Sequence, residues 1–236
     1  MRWNHKIVTL TVLLAIGITM VGCGASSSTA GSTAASTAST TSSEAQKTEV
    51  HPMQGVLLSD PLSDGTYHIS FESDKVWVGE RKNTINNAVV YDYDRYTAAD
   101  IEALSEGDTI ITHLNGTEEI TALTVESVER ENNYVTINGG IEAGGVELTL
   151  DHDVYRTVTF DDYPVYYEMG EVTLPLAGGV TLSDSSADPQ ASAVETDGAD
   201  AVAEAVNAEP DGWMPNNTLV FTEDGTISSI VRIWVP

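Results

Sequence analysis

From Val50 onward the chain is a succession of short runs in which apolar and polar residues alternate, broken by turn residues every 8 to 15 positions. Alternation places every second side chain on one face of a strand, so a chain patterned this way must bury one face of several strands. In the run 66–71, Tyr67, Ile69 and Phe71 share a face, and Val76 and Val78 flank Trp77 in the next. From 88 to 94, Val89, Tyr91 and Tyr93 fall on one side and Val90, Asp92 and Asp94 on the other. The spacing predicts a mainly β fold, a small barrel or sandwich of antiparallel hairpins, with one short helix near 98–105.

That helix has a start and a stop. Thr97 offers an N-cap hydroxyl, Asp100 suits the positive end of the helix dipole, Ile101 and Leu104 face a core, and Gly107 fits the stop. A strand at 108–112 follows, and Asn115-Gly116 predicts a tight hairpin because both residues tolerate positive φ. The return strand, 118–128, is expected to bury Ile120 and Val125, and Asn132-Asn133 turns it into 134–138. The block from about 85 to 160 is similar in pattern to OB-like or SH3-like barrels, a likeness of pattern that carries no binding residue with it.

Gly139-Gly140 and Gly144-Gly145 read as turns or bulges, since a phosphate-cradling loop would want a helix N-terminus and a lysine nearby. Strands resume at 146–150, 154–160, 165–174 and 180–182. From 184 to 212 there are eight acidic residues, no basic ones and no aromatics, and the helix propensity of 199–206 is backed only by alanine and valine. We therefore expect a flexible acidic insertion over about 184–212, either mobile or carrying a poorly packed helix. The closing hairpin, 218–221 and 227–235, should bury Val231, Ile233 and Val235 and turn Arg232 and Trp234 outward.

The N-terminal region carries a different kind of signal. Arg2 and Lys6 precede an uncharged apolar stretch from Ile7 to Val21, which closes in Met20-Val21-Gly22-Cys23. A basic start, a short apolar run and small residues before a cleavage point form a secretory signal, and about 20 apolar residues would be needed to span a bilayer. The stretch resembles the lipobox of bacterial lipoproteins, in which the cysteine is lipidated and becomes the new N-terminus. The resemblance covers residues 1–23 and implies a lipid anchor at Cys23, an extracytoplasmic location and a membrane as partner. Of the 25 residues from 24 to 48, all but Glu44, Gln46 and Lys47 are Gly, Ala, Ser or Thr. Such a segment has no face to bury and reads as a disordered tether with a reach of about 25–30 Å. The expected organisation is signal 1–22, tether 23–48 and β-rich domain 49–236. Cys23 is the only cysteine, so this domain holds together without an internal disulfide.

Charge narrows the function classes. All 36 acidic residues follow Cys23, against eight basic ones, since Arg2 and Lys6 precede it. Without a basic cluster, binding to nucleic-acid phosphates lacks its main driving force, and a neutral or cationic ligand is favoured. Asp92 and Asp94, about 6.5–7 Å apart at Cα on one strand face, have the spacing of a two-carboxylate hydrolase or half a cation site. With Trp77 and Tyr96 they form a candidate ligand site, since aromatic faces beside carboxylates suit sugars or peptides. Tyr163, Tyr166, Trp213 and Trp234 are further surface candidates. Asp151, Asp153, Asp161 and Asp162 form a loop carboxylate group suited to calcium; no other cofactor is expected. Histidine spacings give no zinc motif, and no nucleophile elbow is present. The sequence therefore points to a surface lipoprotein with a non-catalytic binding module. A hydrolase of wall or carbohydrate polymers and a structural envelope protein are the alternatives.

Overall fold

The computed structural model describes residues 47–71, 76–77, 83–209 and 212–236. The readings on Cys23, on most of the tether and on Val78 lie outside the described residues. The fold is mainly β. In chain order the strands are β1 (Glu49–Val50), β2 (Gly65–Ser70), β3 (Val76–Trp77), β4 (Thr84–Tyr93) and β5 (Arg95–Thr97). Helix α1 (Ala98–Ala103) leads to β6 (Thr109–Thr112), β7 (Thr121–Thr124), β8 (Val128–Glu131), β9 (Tyr134–Ile137), β10 (Val146–Asp151) and β11 (Val154–Thr157). Then come β12 (Tyr166–Asp184), β13 (Val194–Asp197), α2 (Ala199–Ala208), β14 (Thr218–Glu223) and β15 (Thr226–Arg232).

Two cores organise these elements. In the first lobe β12 pairs antiparallel with β4 through its first half and parallel with β15 through its second. The pairings β15–β14, β14–β2 and β2–β4 complete a ring, so five strands close into a barrel. The strands expected at 165–174 and 180–182 are one element of 19 residues, whose length lets a single strand serve both neighbours. Tyr67, Ile69 and Phe71 are buried together as the alternation predicts, with Ile85, Val90, Leu174, Val220 and Ile230 around them.

Apart from β1, the second lobe sits between β4 and β12 in sequence. A five-stranded sheet, β5-β11-β10-β9-β8, and a three-stranded sheet, β1-β6-β7, share a core of Val50, Tyr96, Ile101, Ile137 and Leu148, among others. The barrel-like block thus begins at 95 and not 85, and it is two sheets on one core. β4 belongs to the other lobe because its inward residues Ile85, Ala88 and Val90 fill the barrel. Thr97 caps α1 by accepting from Asp100 N–H at 3.2 Å, and Ile101 and Leu104 are buried, as expected.

Four local expectations are corrected. Asn115 and Gly116 do take positive φ, 56° and 73°, but within a 3₁₀ turn over Leu114–Gly116 in a long loop, not a two-residue hairpin. Ile120 falls in that loop, 60% exposed, whereas Val125 is buried. In β15 the buried residues are Ile227, Ile230 and Arg232, while Ile233 is exposed. The register slips between Phe221 and Thr222 of the paired strand, so the inward phase changes within the hairpin. Finally, the acidic segment is not a poorly packed excursion. β13 pairs with the end of β12, and α2 buries Val202, Ala203 and Val206 completely in the barrel-lobe core.

Candidate functional site

The chain passes from barrel to second lobe at Tyr93-Asp94-Arg95, and there the polar residues of β4 meet their partners. Asp92 and Asp94 are each only 2% exposed, so the ligand-facing pair expected from their spacing is corrected. They continue the inward face of Val90 beyond the apolar core. Asp92 Oδ2 accepts the Val56 N–H at 2.6 Å, and Oδ1 accepts from Tyr93 N–H at 2.8 Å and Arg95 Nη2 at 3.1 Å. Gly55 permits the first of these bonds, because a Cβ there would collide with the Asp92 carboxylate.

Asp94 plays the same part for the second lobe. Its Oδ2 accepts from the Thr112 hydroxyl at 2.9 Å and the His113 N–H at 2.6 Å, and its Oδ1 lies 2.8 Å from His113 Nδ1. The His113 ring stacks on Tyr167, centroids 3.5 Å apart. Burial, then the charges of Asp92 and Asp94, push the Tyr167 phenol upward from its ordinary value. With both carboxylates saturated by internal donors and closed from solvent, neither is presented to a ligand or a scissile bond. Tyr96 is also corrected: it is fully buried, donates to Ile111 O at 2.9 Å, and its phenol is pushed up by burial and by Asp94. Trp77 lies in β3, at the edge of the barrel-lobe sheet beside β4.

The four loop aspartates do not converge. Asp151 and Asp153 flank the exposed turn between β10 and β11, and Asp151 is engaged by His152 Nδ1 at 2.7 Å. Asp161 and Asp162 follow β11, and Asp162 Oδ1 accepts the Tyr134 hydroxyl at 2.8 Å. Among the described residues no group of three or more His, Cys, Asp or Glu side chains is placed to hold a metal ion. Of the other aromatic candidates, Trp213 is buried and stacks on Phe71 at 4.8 Å, and Trp234 is 41% exposed.

An open cleft lies on the outer face of the barrel, where neither Asp92 nor Asp94 reaches. Across β2, β4 and β12 the register sets His68 and Glu168 on either side of Tyr91, and Tyr166 beside Tyr93. The loop 113–120 closes over this face. Gly116 brings it there, since its backbone lies so near Tyr166 O that any Cβ would collide. The result is a cleft of about 700 Å³ walled by Tyr91, Tyr166, Asn115, Glu118, Glu119 and Glu168, with no basic residue in its lining. Tyr166 alone among these was marked from sequence. The outward pairing of Tyr91 with Tyr93 and the Glu118-Glu119 step after Asn115-Gly116 were the available signals, but which strands and loop would meet was not visible in them.

A smaller cleft, about 540 Å³, opens between α2 and the C-terminal residues. Its single cation, Arg232, is already turned inward, bonded to Asp184 at 3.3 Å and resting over the Trp213 ring at 4.4 Å. Comparison of the chain with protein-family models, with curated proteins and with solved structures gives no match.

Proposed function

We propose that the protein is an extracytoplasmic lipoprotein, anchored to the bacterial cell membrane through Cys23, whose β-rich part binds a cationic ligand in the cleft under loop 113–120. The observation that carries the binding reading is the cleft lining itself: two tyrosines and three glutamates with no cation among them. Aromatic walls bury apolar surface and attract a cation to the ring face, while carboxylates outside the closed core retain acceptor capacity. The cleft volume falls within the range of about 300–1,000 Å³ ordinary for small-molecule sites. The strong negative balance of the whole chain raises the local concentration of cations. Among the described residues no helix is long and apolar enough to cross a membrane. The anchor is assigned to the lipobox-like segment on its sequence alone.

The test has two arms. Labelling cells with a radioactive fatty acid should mark the wild-type chain and leave Cys23→Ala unlabelled; label on the variant overturns the anchor. For the cleft, a thermal-shift series with spermidine, arginine amide and glucosamine trimer should give a saturable rise with at least one of them. A ligand at 100 times its Kd adds about 2.7 kcal/mol, several degrees for a chain of this size. The triple variant Glu118→Gln, Glu119→Gln, Glu168→Gln should lose that rise. An equal rise in the variant, or none in the wild type, removes the binding reading and leaves a structural envelope role.

A further inference from the structure

We infer that Asn115 is a site of spontaneous deamidation, in which the Gly116 backbone nitrogen displaces the side-chain amide as ammonia, and that the fold shields Asn138 from the same reaction. Asn-Gly occurs twice in the chain, at 115–116 and at 138–139. The reaction favours this pair because glycine has no side chain to obstruct its own nitrogen as it approaches the asparagine Cγ. The two steps share one backbone shape: Asn115 and Gly116 have φ of 56° and 73°, Asn138 and Gly139 of 53° and 76°. What differs is the state of the side-chain amide.

Asn138 is locked. Its Oδ1 accepts the Glu126 N–H at 2.7 Å and the Ser127 N–H at 3.1 Å, and its Nδ2 donates to Thr124 O at 2.8 Å. Swinging its Cγ toward the Gly139 nitrogen breaks all three bonds. Asn115 is exposed, and among the described residues nothing bonds its side-chain amide. The restraint on the reacting atoms there is the Gly116 N–H, which donates to His113 O at 3.2 Å. Thr117 to Ile120 beyond it are exposed, so that bond can open without disturbing a core.

The fold also keeps the labile pair in place. A Cβ on residue 116 would collide with Tyr166 O, which requires glycine there, and a left-handed φ at 115 favours asparagine over most residues. The chemistry needs only water. The Gly116 nitrogen gives its proton to hydroxide and bonds to Asn115 Cγ; the Cγ–Nδ2 bond breaks, and ammonia leaves with a proton from water. Water then opens the resulting succinimide at either carbonyl, leaving aspartate or isoaspartate. Either product adds a carboxylate to the cleft lining that Asn115 shares with Glu118, Glu119 and Glu168.

Peptide mapping of the full chain after incubation at mildly alkaline pH tests this. Trypsin separates the two steps, since residues 96–130 contain Asn115 as their only asparagine and 131–156 contain Asn138. Aspartate and isoaspartate should accumulate at 115 at least about tenfold faster than at 138, because three side-chain bonds hold one site against a single backbone bond at the other. In urea the two rates should converge, since the sequence step is the same. Equal rates in the folded chain, or faster conversion at 138, overturn the inference. A difference that persists in urea overturns the shielding role given to the fold, because it then comes from neighbouring residues. An absence of product at 115 in the folded chain, over the time in which the urea-unfolded chain converts, overturns the site itself.

Discussion

Asp94 shows how a charged residue becomes a structural joint. A carboxylate withdrawn from water is costly unless its lone pairs are filled, and here a hydroxyl, a backbone N–H and a ring nitrogen fill them. Removing it leaves the Thr112 and His113 donors buried without partners, each worth about 1–3 kcal/mol. Asp94→Ala should therefore destabilise the protein by about 3 kcal/mol and lower the melting temperature by roughly 6–12 °C. Asp94→Asn retains one acceptor oxygen and should lose about half as much. Scanning calorimetry measures both; a loss below about 1 kcal/mol for the alanine variant would show that the joint is held elsewhere. Asp92 acts likewise toward the segment at Val56, so Asp92 in β4 and Asp94 just after it tie down two different parts of the chain.

At the scale of elements, α2 is the instructive case. Its apolar residues are few and small, and alone they could not stabilise a ten-residue helix in water. What stabilises it is the barrel-lobe core, into which Val202, Ala203 and Val206 project at i, i+1 and i+4. Small side chains permit a close approach, so the weakness of the sequence signal and the tightness of the packing have one cause. Val206→Ala should cost about 2 kcal/mol, a fall of roughly 4–8 °C, while the exposed Glu204→Ala should leave the transition in place. Thermal melts of the two variants decide it: equal, small effects would mean that α2 is detached from the core. The closing hairpin makes a related point, since one slip of register moved Arg232 inward, where Asp184 and Trp213 receive it.

At the scale of the molecule, the second lobe is an insertion between β4 and β12, yet it is not self-sufficient. β1 comes from the far side of the chain, pairs parallel with β6 through Val50 and Ile110, and contributes Val50 to that lobe's core. A fragment of residues 95–165 lacks this strand and the Asp94 joint, and it should show no cooperative melt by circular dichroism. The full chain should unfold its two cores in one calorimetric transition, because the buried aspartates and the β4–β5 and β11–β12 crossings couple them. A cooperative melt of the fragment alone would show that β1 is dispensable.

Local patterning settled a great deal. The β class, the face of β2 with Tyr67, Ile69 and Phe71, the capped helix α1 and the left-handed turns at Asn115 and Gly116 all follow from backbone preference and periodicity within a few residues. The lipobox-like segment and the charge balance are likewise properties of the chain read end to end. What stayed hidden depends on partners distant in sequence. Alternation places Asp92 and Asp94 on one face but cannot say whether that face meets water or Val56, Thr112 and His113. A register slip is decided by the pairing strand and not by the residues that move. The cleft joins Tyr91, Glu118 and Glu168 from two strands and a loop, and only barrel closure brings them together. Local signals report what a backbone segment prefers, whereas a site is made by long-range contacts, and those are chosen by the packing of the whole chain.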